Sequence, residues 1–401
     1  MSLSVPTDAN EAAASVAEAA SLRAPLSITG LGSKSALGAP WNASRRLDLS
    51  KLNGVTLYEP EELVISALAA TPIETIEALL SANGQELAFE PMSFGALYGT
   101  GPGSLGGCLM ANLSGPRRIK AGAARDHVLG LKGVSGRGEQ FKCGGTVVKN
   151  VTGYDLARGL AGSFGTLAVA TELTFKVLPR AETVATLALP GLPPKAAIEA
   201  LCSAMGAPVD VSGAAHLPPF SAQTLGFSDS VTLLRLEGFA PSVNERFERL
   251  AETLKSFAIA TRLDAAASRS LWTAIRDVAP LADPREKIIW KISVAPTVGH
   301  SVAAAIGAKY QSEAFFDWSG GLIWIALDPD CGPDAGAELI RGVITVHGGG
   351  HATLVRAPDE IRAITHIFQP QPPALKALSR RLKAEFDPLG IFEPGRMQAE
   401  D

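Results

Sequence analysis

The sequence predicts an α+β protein whose second half is built on a mostly antiparallel sheet. Three observations carry this. Short alternating segments, such as Leu26–Thr29 and Ser230–Leu236, stand between amphipathic stretches of helical length. Strands and helices alternate throughout the second half. Pro and Gly cluster at Pro190, Gly191, Pro193 and Pro194, just beyond a strand that stops at Pro179, and place a domain boundary near residue 182. The expected division is 1–182, 183–365 and a C-terminal tail 366–401, in keeping with two or three domains for 401 residues.

The elements follow in order. Asn10–Leu22 is rich in Ala and Glu and reads as a helix; Leu26–Thr29 alternates as a strand. Leu63, Ile65 and Ala67 alternate as another strand. Thr71 then fits a helix N-cap, with Pro72 at the first position, Glu74 completing a capping box and Gly84 beyond the end. Leu87–Phe89 reads as a short strand stopped by Glu90-Pro91, and Thr171–Leu178 as a longer one. Beyond the boundary, strands are expected at Ser230–Leu236, Lys287–Val294 and Leu322–Ala326. Helices are expected at Ser242–Phe257, Ser301–Ala308 and Ala335–Val346. A further helix lies in the tail, ahead of a turn-rich finish from Phe386 to Arg396.

Composition excludes several classes. A net charge of −4 gives no electrostatic footprint for nucleic acid. No run of 18 apolar residues predicts a membrane span, and no basic n-region with an apolar stretch predicts a signal peptide, so a reducing cytoplasm is the expected setting. Cys108, Cys143, Cys202 and Cys331 form no C-x-x-C pair, which argues against a zinc or iron–sulfur site and against a disulfide framework.

Glycine is unevenly spread. Eighteen glycines fall among the 71 residues from Gly95 to Gly165, against about seven for an even spread. Apolar residues threaded between them (Leu105, Leu109, Val128, Val147, Val148, Leu167) favour a backbone laid over an extended ligand rather than disorder. Gly30-Leu31-Gly32-Ser33-Lys34-Ser35 follows a strand and reads either as an anion-binding loop or as an ordinary turn; it matches neither the Walker A nor the G-x-G-x-x-G spacing. Arg117-Arg118 reads either as a clamp for a diphosphate or carboxylate or as a solvated basic loop. His347-Gly-Gly-Gly-His351 lacks an adjacent acid, and its glycines argue against a helical metal face, so no metal is expected. A 2-hydroxy-acid site would need a cation for the carboxylate and a base at the hydroxyl. The candidates are Arg356 for the first and His347 and His351 for the second.

Taken together, Ser104-Leu-Gly-Gly107, Ser114-Gly-Pro-Arg-Arg118, Arg125-Asp-His-Val-Leu-Gly130 and Lys149-Asn-Val-Thr-Gly-Tyr-Asp-Leu156 form an ordered series. It continues through Gly162-Ser-Phe-Gly-Thr-Leu167, His351-Ala-Thr353 and Pro394-Gly-Arg-Met397. The series resembles the FAD-binding subunits of bacterial glycolate oxidases, in the vanillyl-alcohol oxidase/PCMH-type flavoprotein family. The resemblance implies a PCMH-type FAD-binding domain of two α/β subdomains, an α+β cap domain, and a tail returning to the FAD domain. It implies that Gly30–Ser35 holds the FAD pyrophosphate. Ser104, Leu105, Gly106, Gly107, Gly115 and Gly122 would line the flavin path, and Val169 would lie near the flavin edge. Pro91, Arg118, Asp126, Gly165 and Arg396 are the remaining cofactor candidates.

Two departures matter. The tail reads Glu393-Pro-Gly395 where the family has Asn-Pro-Gly, and the His-x-His and Gly-Asp-Gly-Asn metal/substrate signature of the catalytic relatives is missing. No His lies between Gly30 and Gly38, which implies non-covalent FAD. The implied partners are a second FAD subunit and an iron–sulfur subunit, with a small 2-hydroxy acid as substrate and peripheral attachment at the inner membrane through those subunits as an alternative to a free cytoplasmic state. The competing readings are a non-catalytic flavin scaffold and a stand-alone FAD oxidoreductase for another hydroxylated substrate.

Overall fold

The structure, a computed structural model, describes residues 2–147 and 154–397. It divides into two compact units. Unit 1 comprises 1–114, 122–180 and 370–401; unit 2 comprises 115–121 and 181–369. The divisions at 180/181 and 369/370 replace the expected 182/183 and 365/366. The segment Gly115–Ala121, expected within the first domain, groups with unit 2.

Among the described residues, unit 1 contains two larger sheets of different character and one two-stranded pair. A three-stranded parallel sheet orders Ser2–Ser4, Arg45–Asp48 and Leu26–Thr29. A five-stranded antiparallel sheet orders Val55–Glu59, Val64–Leu68, Val169–Lys176, Val128–Val134 and Gln140–Gly144. The helix Ala9–Ser21 opens at Asp8, whose carboxylate accepts from the amides of Asn10 and Glu11. Its Ala12, Val16 and Ala19 recur at helical spacing and are fully buried. They share one core with Leu26, Leu47, Val134, Val169, Ile391 and Phe392. The C-terminal tail is part of that core. Leu26 donates its amide to Ile391 O, and Glu393 donates to Leu26 O.

Two local expectations are corrected. The helix spans Ile73–Ala82 and opens at Pro72, with no capping box. The Thr71 hydroxyl is instead committed to the preceding turn, donating to Leu68 O at 2.7 Å and accepting from Gly54 N at 2.9 Å. Leu87–Phe89 is buried but is a turn, with Glu90 at φ 52° donating back to Leu87 O. Only Gln85–Glu86 finds a partner strand, Leu178–Pro179.

Unit 2 is one eight-stranded, wholly antiparallel sheet. Its order is Thr261–Leu263, Thr183–Pro190, Val231–Gly238, Gly213–Leu217, Ser312–Asp317, Leu322–Leu327, Ile288–Ser293 and His351–Arg356. Helices Pro194–Gly206, Ala240–Leu254, Gly299–Gly307 and Ala337–Val346 accompany it. Strands 183–190 and 213–217 escaped the sequence reading because they are buried on both faces and so lack polar alternation.

Candidate functional site

In unit 1 the strand Leu26–Thr29 delivers the chain into the Gly30–Ser35 loop. Gly32 has φ +72°, and a Cβ built there would meet nothing within 4 Å, so the glycine serves a left-handed backbone facing open space. The amide of Ser35 donates to Gly32 O at 3.2 Å and that of Leu37 to Lys34 O at 3.0 Å. The amides of Leu31, Gly32, Ser33 and Lys34 donate to no acceptor among the described residues. Lys34 is buried, and its ammonium has one long contact, 3.3 Å to Ser33 Oγ, with no carboxylate partner among the described residues. Burial pushes its pKa below the usual lysine range, with Cys108 acting weakly the other way. Four unspent donors beside an uncompensated buried cation make an anion receptor.

Glycine also clears the neighbouring wall. A Cβ on Gly103 would lie 2.8 Å from Lys34 Nζ, and one on Gly30 would lie 3.0 Å from Ser104 Oγ. Ser104 caps the helix Leu105–Ala111 by accepting from Gly107 N at 3.2 Å. The amides of this turn are spent within the chain. Leu105 N is spent on Thr71 O, Gly106 N on Ala69 O, and Gly107 N on Ser104 Oγ. Gly106 is a packing glycine, since its Cβ would stand 2.8 Å from Ala69 O.

The tail fixes the loop from its other side. Arg396 donates from Nη2 to Lys34 O at 3.1 Å and from Nε to Leu37 O at 3.3 Å, and its Nη1 lies 3.2 Å from Glu393 Oε2. With carbonyls taken by Arg396, the amides of the same loop are left for something else. Glu393, a departure from the family pattern, is almost fully buried and has φ 44°. Its carboxylate accepts from Ile28 N at 2.6 Å and Trp41 Nε1 at 2.9 Å. It therefore ties the tail to the strand that feeds the loop, a role that sequence reading missed.

The other unit 1 candidates serve the fold in visible ways. Pro91 is buried. Asp126 accepts from Ala123 N at 2.9 Å, steadying the turn at Gly122, whose φ is +89°. Gly165 has φ +78° beside Glu393 and Ile28. Val169 has its side chain wholly in the core, so the flavin-edge role expected of it is left to its backbone. Val148 and the motif residues Lys149–Gly153 lie outside the described residues.

Gly115 and Arg118 group with unit 2. Arg117 makes a two-point contact with Glu237, at 3.1 and 2.7 Å, so it anchors this segment rather than clamping a free anion. Gly115 O accepts from Trp318 Nε1 at 3.3 Å, and the Arg118 guanidinium lies 4.8 Å over the Trp318 ring. Lys291, absent from the sequence expectations, faces the same indole at 5.4 Å and Trp324 at 5.7 Å. Burial and the charge of Arg118 push Lys291 down to about 8; Asp317 acts against them.

The three expected catalytic side chains separate. Arg356 is corrected as a substrate cation: its guanidinium is buried and donates to the carbonyls of Leu281, Ala282, Pro284 and Lys287. His347 terminates the helix Ala337–Val346 and its Nδ1 contacts Val343 O at 2.8 Å. His351 is exposed and opens the strand His351–Arg356, paired with Ser293. No group of three His, Cys, Asp or Glu among the described residues could hold a metal ion, and none of their helices is long and apolar enough to cross a membrane.

Comparison with known proteins shows the family and the fold. Residues 3–144 match the FAD binding domain family model. The chain is 33% identical to glycolate oxidase subunit GlcE of Escherichia coli (strain K12), covering 96% of each chain. It is 27% identical to glycolate oxidase subunit GlcD of Bacillus subtilis (strain 168), covering 86% of this chain and 78% of that one. Among solved structures, substrate-bound p-cresol methylhydroxylase superposes with a TM-score of 0.74 at 12% identity, covering all of this chain and 88% of that one, a likeness of fold alone. The chain belongs to the GlcE family of FAD-linked oxidoreductase proteins, with a PCMH-type fold.

Proposed function

We propose that this chain is the FAD-binding subunit of a glycolate oxidase complex, in which glycolate loses a hydride from Cα and its hydroxyl proton to give glyoxylate. One observation carries the reading: the buried Lys34 ammonium, without a carboxylate partner among the described residues, beside four amides with unspent protons. Leu31, Gly32, Ser33 and Lys34 would hold the pyrophosphate of FAD, with Gly30, Gly103 and Ser104 leaving room beside it and Arg396 fixing the loop. FAD, when bound, supplies the hydride acceptor. The loop carries no His between Gly30 and Gly38, which favours non-covalent attachment.

The partners are a second FAD subunit and an iron–sulfur subunit, and the setting is cytoplasmic, with any membrane association made through them. Within the complex this chain holds flavin and passes electrons, and turnover requires the partners. In support, His347 and His351 stand without a carboxylate beside them among the described residues, and Arg356 is enclosed by carbonyls. Acid precipitation of the purified chain should release all its flavin to the supernatant; yellow colour retained on the precipitate refutes non-covalent binding. Stopped-flow mixing of the isolated chain with glycolate or D-lactate should give slow flavin reduction. Rapid reduction that disappears in His351→Ala would overturn the supporting role and make that histidine catalytic.

A further inference from the structure

The helix Pro373–Phe386 of unit 1 carries its apolar residues outward. Leu375, Leu378 and Leu382 recur at helical spacing and so share one face, and they are 52, 53 and 40% exposed. No residue of the helix is buried. A surface helix ordinarily turns its apolar stripe to the core and its charges to water. Here the fixings run through other groups. Lys383 donates to Thr166 O at 2.6 Å and to Phe392 O at 3.0 Å. The Phe386 ring meets Phe141 edge-on at 5.9 Å, and Glu385 O accepts from Arg137 Nη1 at 2.6 Å. These fixings lie in the last turn of the helix, and Leu375 and Leu378 stand on the turns upstream of it.

A bare leucine stripe at this spacing is an association surface, and the charges beside it select the occupant. Arg381 and Glu385 stand one turn apart on a single flank of the stripe, next to Leu378. Both are exposed, and neither side chain has an ion-pair or hydrogen-bond partner among the described residues. A surface of one charge sign, such as an anionic bilayer, would attract Arg381 and repel Glu385. A second copy of the chain can satisfy both. When two copies of a helix pack antiparallel about a two-fold axis, the same flank of each lies along the same edge of the seam; in a parallel pair the flanks fall on opposite edges. With the axis at Leu382, that residue meets its own equivalent and Leu378 faces the second copy's Phe386. Arg381 of each copy then comes within two residues, about 3 Å along the axis, of the other's Glu385. Attachment through the C-terminal turn suits this pairing, because it sets the two copies of unit 1 toward opposite ends of the helix pair.

We propose that this chain forms a two-fold homodimer through the helix Pro373–Phe386, with Leu375, Leu378 and Leu382 in an antiparallel seam edged by two Arg381–Glu385 pairs between the copies. The helix has 14 residues. At about 21 Å long, its face falls short of the roughly 800 Å² per partner of a standard interface, and monomer and dimer are expected to exchange in the micromolar range. The dimer stands apart from the flavin reading and holds with or without it.

The test is sedimentation velocity of the full-length chain at low ionic strength, from ~1 to ~200 µM. The unsubstituted chain should pass from monomer to dimer across that range. Leu378→Glu should hold it monomeric throughout with an unchanged thermal midpoint, since this side chain supports nothing in the fold. Arg381→Glu and Glu385→Arg should each weaken the dimer by at least ~10-fold, because two attractive pairs become repulsive. Mixed in equal amounts, these two variants should form a heterodimer tighter than either homodimer, since each cross pair is again opposite in sign. The double variant Arg381→Glu/Glu385→Arg should return to the parent affinity. A chain that stays monomeric at the highest concentration overturns the proposal. So does a dimer that Leu378→Glu leaves intact, which puts the contact elsewhere on the molecule. So does a mixture of the two charge variants that associates no better than each alone, which removes the antiparallel seam.

Discussion

The Arg396 guanidinium donates to the Lys34 carbonyl at 3.1 Å, across 362 positions of sequence. The same side chain reaches Leu37 O and pairs with Glu393. The turn from Glu393 to Arg396 thus holds the carbonyl side of a loop whose amides at 31–34 donate to no acceptor among the described residues. The loop's shape is set before any ligand arrives, and preorganisation of this kind lowers the ordering cost of binding.

Replacing Arg396 by Lys keeps a charge near Glu393 but removes the planar fork that reaches both loop carbonyls. Flavin affinity should fall by roughly 10- to 30-fold, the equivalent of about one charged hydrogen bond. Reconstitution of the flavin-stripped protein with FAD, followed by fluorescence, measures it. An unchanged dissociation constant would mean that the loop needs no clamp.

Gly32 separates backbone strain from site blockage. Asn accepts the left-handed conformation more readily than Val, which should cost about 1–2 kcal/mol at φ +72°. Thermal melts should therefore rank Gly32→Asn above Gly32→Val. Both should purify with little FAD, because either side chain enters the open space before the amides. Full flavin occupancy in Gly32→Asn would show that the loop faces no ligand.

These residues mark the reach of sequence reading. On its own residues the Gly30 loop reads either as an anion-binding loop or as an ordinary turn, because Gly-rich turns are common; only the family resemblance makes it a pyrophosphate loop. Arg396 was legible only through family resemblance, and Glu393 looked like a defect, since nothing local announces a carboxylate bonded to Ile28 N and Trp41 Nε1. The grouping of Gly115–Ala121 with unit 2 is a property of the chain path, set by Arg117–Glu237 and Trp318–Gly115 contacts between residues distant in sequence. Lys291 could have been found: in Ile-Ile-Trp-Lys-Ile-Ser it is the one charged residue of an apolar strand, and period-two reading puts it on a face with Ile289 and Ser293.

Arg356 offers a contrast between structure and chemistry. Its guanidinium closes the Leu281–Lys287 loop through four carbonyls. Arg356→Ala should lower unfolding stability by about 3 kcal/mol, since several buried acceptors lose their donor at once. Urea denaturation followed by tryptophan fluorescence reads the change. A substrate-binding cation would behave oppositely, with an unchanged midpoint and a loss confined to glycolate affinity.

Lys291 gives a stability signature with a definite sign. Burial and Arg118 hold the folded-state value at about 8, against 10.5 for a free lysine, with Asp317 opposing and His351 farther along the face. Below that folded value the side chain is charged in both states, and the folded protein bears the full desolvation cost. As pH rises from 8 toward 10.5 the unfolded chain binds more protons than the folded one, so stability increases with pH across that window. Lys291→Met removes the ammonium while keeping a similar shape, and it removes this dependence. Without ligand it should melt higher than the unsubstituted protein at about pH 7, and the difference should shrink through that window and close only above the free-lysine value of 10.5. A Lys291→Met protein less stable than the parent at neutral pH, with no ligand and no pH dependence in the difference, would show that the ammonium is already satisfied.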